Sequence, residues 1–157
     1  MTSVKKTFII AEAGVNHNGS IALARELIDA AISAGADAVK FQSFIASSIV
    51  TANASKAEYQ IANTGTNESQ LEMLQRLELT HPQQRELFDY CQSRDIQFLS
   101  TPFDLASLKF LTTDLGLETI KVGSGELTNA PFLYEVAHSV KKIILSTGMS
   151  TIGEVAD

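Results

Sequence analysis

The stretch Ile120-Lys-Val-Gly-Ser-Gly-Glu126 decides the fold of this chain. Two apolar residues, Ile120 and Val122, enclose a lysine, and a glycine-rich turn with a hydroxyl and a carboxylate follows at once. The pattern predicts a short buried strand with polar groups at its carboxyl end. Because lysine is rarely buried without a partner, the pattern also indicates an anionic ligand above that strand end.

Three other stretches repeat this arrangement of an apolar run followed by small polar residues. They are Phe8-Ile-Ile-Ala-Glu-Ala-Gly14, Phe98-Leu-Ser-Thr-Pro-Phe-Asp104 and Ile143-Ile-Leu-Ser-Thr-Gly-Met149. Together with the stretch at residues 120–126 and a further strand at residues 38–42, they predict five strands, and residues of helical periodicity separate each strand from the next. Alternation of strands and helices predicts that the strands are parallel.

Two architectures fit five parallel strands: part of a (β/α)₈ barrel, or an open doubly wound sheet. A complete TIM barrel takes about 250 residues, more than the 157 residues of this chain. Thr151 and Glu154 have the spacing of a helix capping box next to the end of the chain. We therefore expect an α/β fold in which residues 1–157 are the N-terminal portion of a TIM barrel, truncated inside a helix. Residues 43–67 break the alternation, which predicts a long binding loop.

The composition excludes several classes of protein. A net charge of -6 argues against nucleic acid or an anionic membrane as the main partner. The single cysteine, Cys91, rules out a disulfide framework within the chain and fits a reducing compartment. Neither a leader segment nor an apolar run of about 18 residues is found, so a cytoplasmic location is expected.

Polar residues gather at the predicted carboxyl ends of the strands, where parallel α/β folds bind their ligands. They are Glu12, Lys40, Gln42, Thr101, Lys121, Ser124, Glu126, Ser146 and Thr147. Two ammonium groups among several hydroxyls predict a site for a phosphate or a carboxylate. The two glutamates are candidates for proton transfer, and Glu12 is expected to be functional because a buried unpaired carboxylate is costly. His17 is either a turn residue or a ligand or base.

Seven motifs in this order resemble those of the sialic acid synthase family, which includes the N-acetylneuraminate, legionaminate and pseudaminate synthases. The motifs are Ile10-Ala-Glu-Ala-Gly-Val-Asn-His-Asn-Gly19, Val39-Lys-Phe-Gln42, Lys56-Ala-Glu-Tyr-Gln60, Asn63-Thr-Gly65, Ser100-Thr-Pro-Phe-Asp104, Lys121-Val-Gly-Ser-Gly-Glu126 and Leu145-Ser-Thr-Gly-Met149. The resemblance implies a TIM barrel followed by an antifreeze-like domain, in a homodimer. It also implies condensation of phosphoenolpyruvate with an N-acetylated hexosamine, such as N-acetylmannosamine, to give a nine-carbon 2-keto acid and phosphate.

The resemblance also implies a role for each matching residue. Lys40 and Lys121 would be the cations for phosphoenolpyruvate, and Glu12 and Glu126 would be active-site carboxylates, with Gln42 as a sugar contact. The contacts around phosphoenolpyruvate, mainly at its phosphate, would be Thr101, Ser124, Ser146, Gly148 and Met149. Glu12, Lys121 and Glu126 are the catalytic candidates in this set.

Several components that the resemblance implies are expected to lie outside this sequence. The family uses Mn²⁺ or Mg²⁺ held by two histidines on later strands, and we expect those ligands, the later strands and the antifreeze-like domain to lie outside this chain. The 157 residues are therefore expected to be inactive or nearly so, and to self-associate through open sheet edges. Two other functions stay open: a Schiff-base aldolase that uses Lys121 or Lys40, and a fragment that binds an anion without turnover.

Overall fold

The computed structural model describes residues 6–51, 54 and 68–156. Five strands lie in these ranges: β1 (Ile10–Gly14), β2 (Ala38–Ser43), β3 (Gln97–Pro102), β4 (Thr119–Val122) and β5 (Lys142–Leu145). The α-helices there are α1 (Ile21–Ser33), α2 (Ala46–Ile49), α3 (Gln70–Leu77), α4 (His81–Ser93), α5 (Leu105–Lys109), α6 (Ala130–Ser139) and α7 (Ile152–Ala156). A π-helical turn, Phe110–Asp114, continues α5, and a 3₁₀ turn, Ser124–Glu126, follows β4.

The order of the strands distinguishes the two predicted architectures. β1 pairs with β2, β2 with β3 and β4 with β5, always in parallel. β4 lies next to β3 without a hydrogen-bonded ladder between them. The strands therefore follow one another in sequence order, as in a barrel, whereas a doubly wound sheet places later strands on the other side of β1.

Capping residues set where several helices begin. At the start of α4 the Thr80 hydroxyl accepts the Gln83 N–H, and the Gln83 side chain accepts the Thr80 N–H. The predicted capping box of α7 is present, because the Glu154 carboxylate accepts the Thr151 N–H at 2.7 Å. That hydrogen bond lowers the pKa of Glu154. These local bonds satisfy N–H groups that would otherwise lack partners in the first turn.

Long-range contacts move other boundaries away from the predicted ones. β1 begins at Ile10, and Phe8 and Ile9 are half exposed. Helix α2 lies in the stretch predicted to be a loop, because the Glu78 carboxylate accepts the Ala46 N–H at 2.8 Å. Residues 52–53 and 55–67, which hold the rest of that loop, lie outside the described residues.

The two faces of β2 separate the core from the site. Phe41 is buried in the apolar core with Ile28 and Leu87, and it stacks on Phe98 at 5.6 Å between ring centroids. Successive strand residues point to opposite faces, so Lys40 and Gln42 face away from that core. In the described part of the chain, no helix combines the length and the apolar character that crossing a membrane requires.

Candidate functional site

Lys40 is the most buried charged residue of the candidate site, with 9% of its surface exposed. Its ammonium lies 2.7 and 2.9 Å from the two carboxylate oxygens of Glu12 and 3.4 Å from the Thr101 hydroxyl. Strand register explains the contact with Glu12, because Glu12 is directly opposite Lys40 across the β1–β2 pair. Three neighbouring strands thus bring a cation, a carboxylate and a hydroxyl together.

Lys121 lies at the end of β4 and has only neutral hydrogen-bond acceptors among the described residues. Its ammonium donates to the Ser146 hydroxyl at 2.5 Å and to the Val122 carbonyl at 2.6 Å. Burial lowers the pKa of Lys121, the nearby charge of Lys40 lowers it further, and Glu12 opposes the shift. The charge of Lys40 thus acts on Lys121 although the two lysines belong to different strand pairs.

The turns after β4 and β5 meet beside Lys121. A Cβ atom added to Gly148 would lie 3.6 Å from the Ser124 hydroxyl, so these two turns are in contact. The next residue, Met149, has a left-handed backbone with φ of 61° and a fully exposed side chain. Contacts from these two turns to a bound ligand would therefore come most easily from the backbone of the turn after β5 and from the side chains of Ser124 and Ser146.

Gln42 and Glu126 lie at the margins of this cluster. Glu12 Oε1 and Gln42 Nε2 lie 3.2 and 3.7 Å from the point where Gly14 would carry a Cβ, so both side chains border that glycine. Glu126 accepts a hydrogen bond from the Asn129 amide at 2.7 Å, and Asn129 is the N-cap of α6. Glu126 is thus held by the residue that caps the helix.

The prediction that Glu12 is a buried, unpaired carboxylate is wrong. Its side chain is 55% exposed and forms an ion pair with Lys40. In the described structure β1 pairs on one side only, with β2, which leaves the end of this strand open to solvent. The cost of burying a charge is therefore no reason to consider Glu12 functional. The reason that remains is its contact with Lys40.

The His17 side chain stabilises the turn between β1 and α1. It is fully buried, its Nδ1 accepts the Gly19 N–H at 3.0 Å, and its ring lies 6.1 Å from that of Phe41. Phe41 belongs to the face of β2 opposite to Lys40, so the imidazole is on the core side of the sheet. Its Nε2 has no hydrogen-bond partner, and burial lowers the pKa of the ring.

Sequence reasoning missed three buried polar residues directly behind the site. Ser43, Gln84 and Ser100 are each at most 3% exposed. The Ser43 hydroxyl lies 2.5 Å from Gln84 Oε1 and 2.6 Å from the Ser100 hydroxyl. A glutamine three residues before Leu87, on the buried side of α4, was the signal in the sequence.

Comparison with known proteins supports an assignment at the level of the family. Residues 27–157 match the NeuB family. The chain belongs to the NeuB family. The predicted resemblance to sialic acid synthases is therefore confirmed.

Two relatives are synthases of the same sugar acid. N,N'-diacetyllegionaminic acid synthase of Campylobacter jejuni is 52% identical over 154 residues, which are 98% of this chain and 46% of the relative. The N,N'-diacetyllegionaminic acid synthase of Legionella pneumophila is 48% identical over 148 residues, 94% of this chain and 41% of the relative. The chain thus spans about half the length of the curated relatives it matches.

A solved structure confirms the predicted fold class. The crystal structure of N-acetylneuraminic acid (sialic acid) synthetase from Leptospira borgpetersenii, in complex with citrate, superposes with a TM-score of 0.79 at 29% identity. The match covers 99% of this chain and 51% of that chain. The fold of the NeuB chain is therefore a partial TIM barrel of parallel strands with crossover helices.

Proposed function

We propose that this NeuB chain supplies the phosphoenolpyruvate-binding part of a sialic-acid-type synthase. The reaction is the condensation of phosphoenolpyruvate with an N-acylated hexosamine to a nine-carbon 2-keto acid and phosphate. One observation supports the proposal above the others: the charge of Lys40 acts on Lys121, and of these two lysines only Lys40 has a carboxylate partner among the described residues. A ligand with both a carboxylate and a phosphate suits such a pair of cations.

The proposed chemistry assigns the lysines to charge stabilisation. C3 of phosphoenolpyruvate attacks the sugar aldehyde, water adds at C2, and phosphate leaves with cleavage of its C–O bond. Negative charge builds on the departing phosphate, and Lys121 beside the Ser146 hydroxyl would stabilise it. Lys40 would hold the other anionic group of the ligand, while Glu12 orients Lys40 and is available as a proton acceptor.

We propose an acceptor sugar that carries two acetamido groups, in place of N-acetylmannosamine. The support is the naming of both relatives for a diacetylated product at 52% and 48% identity. Gln42 and Glu12, which border Gly14, offer an amide and a carboxylate to polar groups of such a sugar. Competition between the diacetylated sugar and N-acetylmannosamine in an assay of the full-length enzyme would decide between them.

A divalent metal stays a proposal for the full-length enzyme. Among residues 6–51, 54 and 68–156, no three His, Cys, Asp or Glu side chains are grouped closely enough to hold a metal ion. The described residues thus do not fit the metal. The remaining barrel strands, the antifreeze-like domain and the homodimer are likewise proposed for the full-length protein.

Titration with phosphoenolpyruvate tests the proposed binding site. We expect Lys121→Ala to weaken binding about tenfold or more, because a charge-assisted hydrogen bond contributes about 1.5–3 kcal/mol. Lys142→Ala is the matched control, since this exposed lysine lies at the opposite end of the neighbouring strand β5. Equal affinities for the two variants would overturn the assignment of Lys121.

A Schiff-base aldolase is the second candidate, and the lowered pKa of Lys121 favours it. An unprotonated amine could attack a carbonyl carbon and lose water to form an imine. Borohydride reduction in the presence of pyruvate, followed by mass spectrometry, separates the two reactions. A reduced adduct on Lys121 supports the aldolase, and an unmodified chain that binds phosphoenolpyruvate supports the synthase.

A further inference from the structure

The buried residues Ser43, Gln84 and Ser100 form a hydrogen-bonded chain that joins two strands to helix α4. Gln84 donates through Nε2 to the Leu79 carbonyl at 2.8 Å, which leaves its Oε1 to accept the Ser43 hydroxyl at 2.5 Å. Ser43 has only one hydroxyl hydrogen, so the Ser100 hydroxyl must donate to Ser43 across their 2.6 Å contact. The hydrogens therefore point in one direction, from β3 through β2 to α4.

This chain lies one residue away from the candidate site on both strands. Ser43 follows Gln42, and Ser100 precedes Thr101, which pairs with Gln42 across the strands. Because side chains alternate along a strand, the three polar residues lie on the core side while Lys40, Gln42 and Thr101 lie on the site side. The Phe103 N–H also donates to the Ser43 carbonyl at 3.0 Å, so Ser43 binds the end of β3 twice.

The choice of polar residues here needs a reason, because apolar side chains fill a core without any desolvation cost. Apolar packing tolerates small shifts between neighbouring strands, whereas hydrogen bonds fix distance and direction. Lys40 and Thr101, on neighbouring strands, are 3.4 Å apart at their polar atoms, which is the upper limit for a useful contact. A small slip of β2 against β3 would separate them.

We infer that Gln84 is a positioning residue of the phosphoenolpyruvate site. Through Ser43 and Ser100 it holds the ends of β2 and β3 at the spacing that brings Lys40 and Thr101 onto one ligand. The inference rests on the proposed function for the identity of the ligand, and on the hydrogen-bonded chain for the mechanism.

Two variants interrupt the hydrogen-bonded chain of Ser43, Gln84 and Ser100 at different points. Gln84→Met keeps the length of the side chain and removes both of its hydrogen bonds, and Ser100→Ala removes the side-chain bond from β3 to Ser43 while the Ser43–Gln84 bond stays. Leu87→Val is the matched control, because Leu87 is also fully buried on α4 and is not one of the three hydrogen-bonded residues. Each variant is measured for thermal midpoint, for phosphoenolpyruvate affinity and, without ligand, for amide hydrogen exchange.

We expect Gln84→Met and Ser100→Ala each to raise the Kd for phosphoenolpyruvate about tenfold, by analogy with metal sites, where loss of a residue that orients a ligand costs about tenfold or more. Leu87→Val should lower the thermal midpoint and leave the Kd unchanged. A Kd that follows the thermal midpoint across all three variants, or stays unchanged in all three, overturns the inference because it reveals only a structural role.

Hydrogen exchange separates failure of this inference from failure of the proposed function. If the wild-type protein does not bind phosphoenolpyruvate, the proposed function fails. The exchange data alone then decide whether the hydrogen bonds of Ser43, Gln84 and Ser100 hold β2 and β3 together. In that case the spacing of β2 and β3 by these hydrogen bonds is supported if Ser100→Ala selectively loses protection at the Phe103 amide, while the Ser146 amide, which donates to Val122 between β4 and β5, keeps it. A uniform loss at both amides overturns the inference.

Discussion

Two residues of one type, Lys40 and Lys121, have different partners within a single site. Lys40 pairs with Glu12, whereas Lys121 contacts a carbonyl and a hydroxyl. The sequence predicted both lysines at strand ends, since the pattern of an apolar run followed by polar residues is local. It could not show that Glu12 is exposed, because the exposure of a side chain depends on which strand lies at the edge of the sheet.

A bound phosphoenolpyruvate anion should raise the pKa of Lys121, which burial and the charge of Lys40 lower in the free protein. Binding of phosphoenolpyruvate at alkaline pH should therefore take up protons. Calorimetry in two buffers of different ionisation enthalpy measures that uptake. Lys121→Met should abolish it, and uptake that persists in this variant would place the titrating group elsewhere.

Glu12→Gln removes the carboxylate partner of the buried Lys40 ammonium. Loss of one partner of a fully buried ion pair costs about 3–5 kcal/mol, but Glu12 is 55% exposed, so we expect a loss of about 1 kcal/mol in the free energy of unfolding. Urea denaturation measures it. In a Lys40→Met background the same substitution should have almost no effect, and an undiminished loss would mean that the two residues are not coupled.

His17 should make the free energy of unfolding depend on pH. Its pKa is lowered in the folded state by burial, so the unfolded chain takes up a proton first as the pH falls through about 6.5. Stability should be complete above that pH and fall as the pH drops towards the folded-state pKa, below which both states are protonated and the slope disappears.

Urea denaturation between about pH 7.5 and pH 5.5 measures this slope. His17→Asn should flatten it, because an asparagine oxygen can accept the Gly19 N–H in place of Nδ1 and cannot take up a proton. The exposed His138 provides the control, and His138→Asn should keep the wild-type slope. A slope that survives His17→Asn would assign the titration to another group.

At the scale of secondary structure, local sequence patterns set the bounds of some helices, and contacts with distant residues set those of others. The start of α4 at His81 depends on local features, since its capping box and Pro82 all lie at the first turn of the helix. Helix α2 depends on a carboxylate from Glu78, 32 residues away from Ala46, and no local pattern reveals such a bond. The π-helical turn after α5 was likewise beyond a periodicity argument, since its residues continue the same apolar face.

The turn before α1 packs directly on α3, and Gly19 should tolerate no larger residue. A Cβ there would lie 2.4 Å from the backbone carbonyl oxygen of Arg76, and φ is +78°. Gly35 has a similar φ of +75° with nothing within 4 Å of the same point. Gly35→Ala should thus cost only the conformational strain, about 1–2 kcal/mol, and Gly19→Ala about 2 kcal/mol more from the clash. Equal losses in thermal denaturation would show that the turn moves aside freely.

At the scale of the whole molecule, apolar residues are exposed where strand β5 and helix α7 form one margin of the partial barrel. They are Ile143, Leu145, Met149, Ile152 and Val155. In the described structure β5 pairs on one side only, with β4, so its other edge offers free backbone groups beside this apolar surface. An open edge of this kind favours pairing with another chain.

The NeuB chain, prepared as these 157 residues, should therefore self-associate in a concentration-dependent way. Ile143→Lys combined with Leu145→Lys should shift the chain towards monomer in sedimentation velocity, because charges on an edge strand oppose edge-to-edge pairing. Leu105→Lys is the control, since this exposed leucine lies on α5, away from the edge. A wild-type chain that stays monomeric at every concentration, or a control variant that dissociates equally well, would show that the β5 margin is not where the chains meet.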